Sequence, residues 1–106
     1  MSFRFMRIVL FYDLPAVTAA ERKIHAKFRR DLMKDGFYMM QESVYCKLAI
    51  NQNYVSAIIN GVEKYKPKKG LIQILAITEK QYAKMIYILG HKSTTVLDSD
   101  ERLVFI

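Results

Sequence analysis

The chain has 106 residues, 52% hydrophobic and 25% charged, with 17 Lys and Arg against 10 Asp and Glu, a formal net charge of +7. This length and apolar content suit one domain with its own core and exclude a disordered chain, while no apolar run approaches the roughly 18 residues that span a bilayer. A lone cysteine, Cys46, excludes an internal disulfide framework, and two histidines as far apart as His25 and His91 argue against a zinc site within one chain.

The positive surplus points to a nucleic acid or an anionic surface as partner. The opening MSFRFMR has no apolar leader and runs straight into a strand, so a cytoplasmic location is expected. Met6 to Tyr12 (MRIVLFY) is almost continuously apolar and rich in β-branched and aromatic residues, the pattern of a strand covered on both faces. Leu14-Pro15 ends it, because proline cannot donate to a ladder and restricts the residue before it. Asp13 is thereby left as a lone carboxylate where the strand stops.

Thr18-Ala19-Ala20-Glu21 has the spacing of a capping box. Ile24, Phe28 and Leu32 follow as the expected buried stripe of a helix over 19–35, which Gly36 closes. Lys23, Lys27, Arg30 and Lys34 share another face of that helix, and Arg22 and Arg29 extend the positive surface around it. From Arg22 to Asp35 the only acids are Asp31 and Asp35. A solubilising face mixes its signs more evenly, so a surface that tracks phosphates is favoured.

Phe37 to Ile50 (FYMMQESVYCKLAI) reads as two strand-like halves around Gln41-Glu42-Ser43. In the second half Val44, Cys46, Leu48 and Ile50 alternate with Tyr45, Lys47 and Ala49, which assigns the first set to the apolar face. Asn51 is the expected cap of a second helix over 52–66, with Tyr54, Ile58, Val62 and Tyr65 along one side and Pro67 as its stop. Asn60-Gly61 competes as a hairpin signal. Lys64, Lys66, Lys68 and Lys69 flank Pro67 in a basic loop. Gly70 to Thr78 (GLIQILAIT) is a further strand, apolar on both sides of the pleat, and Thr78-Glu79-Lys80-Gln81 again has capping-box spacing. Met85 to Leu89 (MIYIL) is expected as a short strand, His91 to Glu101 as a loose polar stretch, and Arg102 to Ile106 as a final strand.

The order β-α-β-β-α-β, followed by further strands, makes the expected fold an α+β, ferredoxin-like sandwich with extra C-terminal strands. One domain is expected over residues 1–106, its core at about 4–90 and a C-terminal extension at 91–106. Two helices cover only one face of a four-stranded sheet, yet the expected inner strands, Ile8–Tyr12 and Leu71–Ile77, are apolar on both. The other face is then a larger apolar patch than soluble monomers carry, so a two-fold homodimer is expected. Met85–Leu89 and Arg102–Ile106 would pair with sheet edges of the partner copy.

Tyr12-Asp13-Leu14-Pro15, Arg29-Arg30 to Gly36-Phe37, Gln41-Glu42-Ser43-Val44-Tyr45 and Thr78-Glu79-Lys80-Gln81-Tyr82 follow one another along essentially the whole chain. In order and spacing this series resembles the CRISPR-associated Cas-two family, particularly the form found alongside the type II-A effector. The resemblance implies a ferredoxin-like homodimer acting in spacer acquisition, where it bridges the integrase subunit (Cas-one) and supports a short DNA duplex, the prespacer. It also implies a magnesium-dependent endonuclease on RNA or DNA, with Asp13 as the catalytic and metal-binding residue.

Mg²⁺ takes several oxygen ligands, commonly one or two carboxylates plus waters, so one Asp13 is not a site. A two-fold axis passing nearby would supply a second Asp13 and place the cation at the dimer axis. The competing reading makes Asp13 a strand terminator whose carboxylate accepts backbone amides in the turn. Duplex DNA would be held by Arg22, Lys23, Lys27, Arg29, Arg30, Lys34, Lys66, Lys68 and Lys69 through phosphates, without reading bases. The rival reading is a stand-alone, metal-dependent ribonuclease of toxin type. An RNA-recognition domain is disfavoured because Lys69-Gly70-Leu71-Ile72-Gln73-Ile74 lacks the stacking aromatics of that signature. No membrane partner is expected, since the basic helix has no bulky aromatic face for lipid.

Overall fold

The computed structural model describes residues 5–91. The elements run β1 (Met6–Asp13), α1 (Ala19–Lys34), β2 (Tyr38–Gln41), β3 (Val44–Ala49), α2 (Gln52–Glu63), β4 (Leu71–Thr78) and α3 (Glu79–Ala83). The strands form one antiparallel sheet in the order β2-β3-β1-β4, the α+β, ferredoxin-like arrangement that the element order implies. The expected strand Arg102–Ile106 and residues 92–101 lie outside the described residues.

The local signals for α1 act as their chemistry requires. Thr18 Oγ1 accepts the Glu21 amide at 3.1 Å, and the Glu21 carboxylate accepts the Thr18 and Val17 amides at 3.0 Å. At the other end Phe37 N–H reaches Leu32 C=O and Gly36 N–H reaches Met33 C=O, a Schellman closure that needs the positive φ of +97° at Gly36. Lys47 donates to the Asp35 carbonyl and lies 3.5 Å from its carboxylate, while the Tyr65 hydroxyl donates to the same carboxylate at 2.9 Å. A cation is thereby fixed at the negative end of the helix.

The core lies between the helices and one face of the sheet. Ile8, Leu10 and Tyr12 of β1 meet Phe28 and Leu32 of α1, Tyr45 and Ala49 of β3, and Val55, Ile58 and Val62 of α2. Tyr12 is edge-on to both His25 and Phe28 at 5.4 Å and stacks on Tyr45 at 6.0 Å.

Five expectations are corrected. Of the α1 stripe, Phe28 and Leu32 are buried but Ile24 is 52% exposed, because it borders an open cleft beside residues 65–69 rather than the closed core. The buried side of α2 is Val55, Ile58 and Val62, with Tyr54 exposed and the helix ending at Glu63. In β3 the residues facing the helices are Tyr45 and Ala49; Val44, Cys46 and Leu48 occupy the opposite face. The inner strands are β1 and β3, and β4 is an edge. Within the chain Met85–Leu89 forms no strand: the residues after α3 leave the sheet and are exposed, and the pairing expected of them is with an edge of a second copy.

The face of the sheet turned from α1 and α2 remains largely open. Leu71 and Leu75 are 54% and 53% exposed, and Phe11 and Leu48 are also exposed. One end is closed by α3, fixed through Arg7. Its guanidinium makes a two-pronged pair with Glu79, both contacts at 2.7 Å, lies 4.1 Å from the centre of the Tyr82 ring, and donates to the Tyr38 hydroxyl. Burial opposes the Arg7 charge, but the Glu79 carboxylate, together with Cys46 and Tyr38, outweighs it and raises its pKa.

The buried phenols give the fold a measurable alkaline limit. Burial, reinforced by Tyr45, pushes the Tyr12 phenol from 10.0 up to about 12, and burial likewise raises Tyr38, Tyr65 and Tyr82. Between pH 10.0 and about 12 the unfolded chain has released the Tyr12 proton while the folded chain retains it. Raising the pH through that window therefore favours unfolding. Urea denaturation followed by far-ultraviolet circular dichroism at stepped pH is expected to give a midpoint that is flat below pH 10.0 and falls above it. Tyr12→Phe should flatten the fall.

Candidate functional site

Asp13 is the last residue of β1, opposite Leu71 of β4 in the ladder. Along β1 the alternation puts Ile8, Leu10 and Tyr12 in the core, so Asp13 shares the open face with Phe11, and both are exposed. Among the described residues the Asp13 carboxylate accepts no hydrogen bond and makes no ion pair. The turn-amide reading therefore fails: no described amide holds the carboxylate, which stands exposed at the strand end.

The basic loop is delivered to this strand end by Gly70. Its φ is +115°, and a Cβ there would lie 2.6 Å from Leu14 Cδ2 and 2.8 Å from the Asp13 carbonyl oxygen. Only a glycine lets the loop after Lys69 pass this close before entering β4.

The nine expected nucleic-acid contacts divide into groups. Lys27 of α1 faces Lys66, Lys68 and Lys69 across a cleft of about 500 Å³, whose floor is formed by Leu14, Pro15, Ile24 and Phe28. Lys27, Arg30 and Lys34 line a second, shallower hollow along α1 with Asp31 and Met33. Arg29 is drawn elsewhere: its Nε donates to the Tyr45 hydroxyl at 3.2 Å, which raises the Arg29 pKa. Arg22 donates to the Val17 carbonyl at 2.6 Å, tying it to the N-terminal turn of α1, and Lys23 is exposed on that helix. Two cations are partly neutralised, Lys27 by Asp31 at 2.8 Å and Lys66 by Glu63 at 3.0 Å.

Sequence reasoning missed Arg7, which organises the open face, and Ile24 as part of a cleft floor. A lone arginine in an otherwise apolar strand was the available signal for the first. The second had none, because helical spacing cannot tell which turns of a helix its neighbours cover.

A divalent cation is implied by the family resemblance, and the donor set tests it. Among the described residues no group of three or more His, Cys, Asp or Glu is arranged to hold a metal ion. Among the described residues this strand end therefore offers one carboxylate, that of Asp13, which suits a hard cation as one ligand of a set completed from elsewhere.

The model for the family described as CRISPR associated protein Cas2 matches residues 6–85. A protein named CRISPR-associated endoribonuclease Cas2 from Treponema denticola is 48% identical over 99 residues, covering 93% of this chain and 98% of that protein. One of the same name from Streptococcus mutans serotype c is 48% identical over 101 residues, covering 95% and 93%. Another, from Ligilactobacillus salivarius, is 40% identical over 101 residues, covering 95% and 100%. A solved structure described as the crystal structure of cas2 superposes with a TM-score of 0.58 at 12% identity, covering 94% of this chain and 99% of that one, a likeness of fold alone. No helix among the described residues is long and apolar enough to cross a membrane.

Proposed function

Because the chain belongs to the CRISPR-associated Cas2 family, we propose that it is the small subunit of spacer acquisition: a homodimer that bridges the integrase subunit, holds duplex prespacer DNA by its phosphates, and has a magnesium-dependent endonuclease capacity centred on Asp13. The observation that carries this reading is the junction at Gly70, where the strand end bearing Asp13, a carboxylate with no partner among the described residues, abuts the loop of Lys66, Lys68 and Lys69.

The open apolar face supports the dimer, since Phe11, Leu48, Leu71 and Leu75 are large side chains left without cover on one face. Asp13 lies on that same face, so a second copy packed there brings a second carboxylate toward the first. The pair of Asp13 carboxylates would hold the cation at the dimer axis. When bound, Mg²⁺ supplies positive charge beside a phosphodiester and acidifies a water. Asp13 itself contributes negative charge and ligand oxygens, and the lysines of the 66–69 loop draw the polyanionic backbone to this end of the sheet.

The test compares the native chain with Asp13→Asn. Sedimentation velocity should give a dimer for both, and cleavage of a single-stranded RNA and of a DNA duplex in Mg²⁺ should fall by roughly a hundredfold or more in the variant, the scale expected for losing a group essential to catalysis. Undiminished cleavage by Asp13→Asn would remove Asp13 from the reaction, and a native chain sedimenting as a monomer would remove the axial site.

A second reading, a stand-alone metal-dependent ribonuclease of toxin type, is favoured by the endoribonuclease names of the relatives. It requires RNA cleavage at full rate without any partner and no contribution to integration when the integrase subunit is added.

A further inference from the structure

The cleft between α1 and the 64–69 loop is built differently from a groove that only tracks phosphates. Its volume of about 500 Å³ lies within the range of sites that bury a ligand. Its floor is apolar, formed by Leu14, Pro15 and Ile24 over the buried Phe28. Ile24 is 52% exposed there, an aliphatic side chain left open on a helix otherwise studded with charge. Phosphates have no use for such a floor. Of the two aromatic rings in the lining, Phe28 is buried, and Tyr65 packs against Phe28 with its hydroxyl bound to Asp35. The open floor is therefore mainly aliphatic and offers a base little to stack on.

The walls carry both signs. Glu21 and Asp31 line the cleft beside Lys27, Lys66, Lys68 and Lys69. Both carboxylates are engaged, Glu21 by two backbone amides and Asp31 by Lys27 at 2.8 Å, yet each still repels a nucleic-acid backbone passing over it. Lys68 makes no ion pair among the described residues, and Lys69 stands near Glu21 without forming one. The balance is an apolar slot with a net positive rim on the loop side. A peptide answers that pattern better than a polyanion, because it carries its apolar and its acidic groups at separate points.

We propose that this cleft docks a short segment of a protein partner in which one or two apolar side chains are flanked by aspartate or glutamate. The apolar anchor covers Ile24, and the flanking carboxylates reach Lys68 and Lys69. This goes beyond the DNA-holding reading and assigns the 66–69 lysines a protein ligand as well.

Fluorescence anisotropy on the full chain tests it, with a labelled, end-capped peptide Asp-Asp-Glu-Leu-Phe-Glu-Asp-Asp as probe. Ile24→Ser is the decisive variant, since a half-exposed side chain can be changed without breaking the core. It should weaken the probe by about tenfold, the scale of a lost anchor, and a probe with Ser-Ser in place of Leu-Phe should lose as much on the native chain. Lys68→Glu with Lys69→Glu should abolish the signal. Duplex DNA binding by Ile24→Ser should stay within about twofold of native on the same argument, whether or not the Asp13 reading holds. The proposal is overturned if the native chain does not bind the probe, or if the Ser-Ser probe binds equally well, which means bulk charge attraction. It is overturned equally if Ile24→Ser loses DNA in parallel, which marks a nucleic-acid groove, or changes the sedimentation of the free chain, which means a second copy fills the cleft.

Discussion

Gly70→Val is expected to be the most damaging single substitution outside the core. The position combines a φ of +115°, which a β-branched residue tolerates poorly, with a Cβ that would fall 2.8 Å from the Asp13 carbonyl oxygen and 2.6 Å from Leu14 Cδ2. The backbone contact cannot give way as a side chain can, because Asp13 is held in the β1–β4 ladder opposite Leu71. Strain and overpacking together should cost roughly 2–6 kcal/mol, a large part of the ~5–15 kcal/mol that stabilises a domain of this size. Gly90→Val is the matched control. Its φ is +86°, also in the left-handed region, but a Cβ there meets nothing within 4 Å. It should therefore show backbone cost without a clash. Urea denaturation of the two variants separates the terms, and an equal, mild effect at both would mean that loop and strand end do not meet as described. Because the same contact brings the lysine loop to Asp13, a folded Gly70→Val chain should also lose any function that needs the two together.

The elements of this fold were legible wherever a signal is local. The Thr18 and Thr78 capping boxes, the Gly36 stop and the Pro15 termination are each settled within a few residues, and each is present. Strand faces were harder. In β3 the run Val44, Cys46, Leu48 looks like the core side, yet the core takes Tyr45 and Ala49. Both sides of that strand are apolar because both are used, one against the helices and one on the open face, so alternation could not choose between them. Met85–Leu89 has strand composition but leaves the sheet after α3, and which edge such a segment joins is a tertiary condition that composition does not report. The site was legible in part. Asp13 stood out as a carboxylate ending an apolar strand, but its lack of a partner among the described residues follows only from the packing around it. The cations of α1 shared a face by spacing alone; that Lys27 would look across a cleft at the loop, and that Arg29 would be captured by Tyr45, depended on contacts between distant segments.

Charge reversal at Lys27 and Arg30 is expected to abolish duplex binding and spacer integration, while Asp13→Asn leaves both in place. The two cations share the hollow along α1 with Lys34, so a backbone that passes one passes the other. Each phosphate contact adds about 0.9 to the negative slope of log affinity against log salt on duplex DNA. Losing two should flatten that slope by about 2, and the introduced carboxylates add repulsion acting over a screening distance of about 8 Å at physiological salt. The fold should survive. Lys27 is exposed and its bond to Asp31 is a surface i,i+4 pair, worth about 0.3–0.5 kcal/mol. Asp13→Asn leaves the hollow along α1 untouched: it removes a carboxylate at the sheet end and with it a ligand of the proposed cation, so duplex affinity measured without Mg²⁺ should not fall. The comparison therefore divides the two proposed capacities. Affinity for a duplex, measured from low to physiological salt, and integration with the integrase subunit present should follow Lys27 and Arg30, whereas metal-dependent cleavage should follow Asp13. If Asp13→Asn alone ends integration while the assembled complex stays intact, the carboxylate is the working centre and the basic helix is only a solvated face.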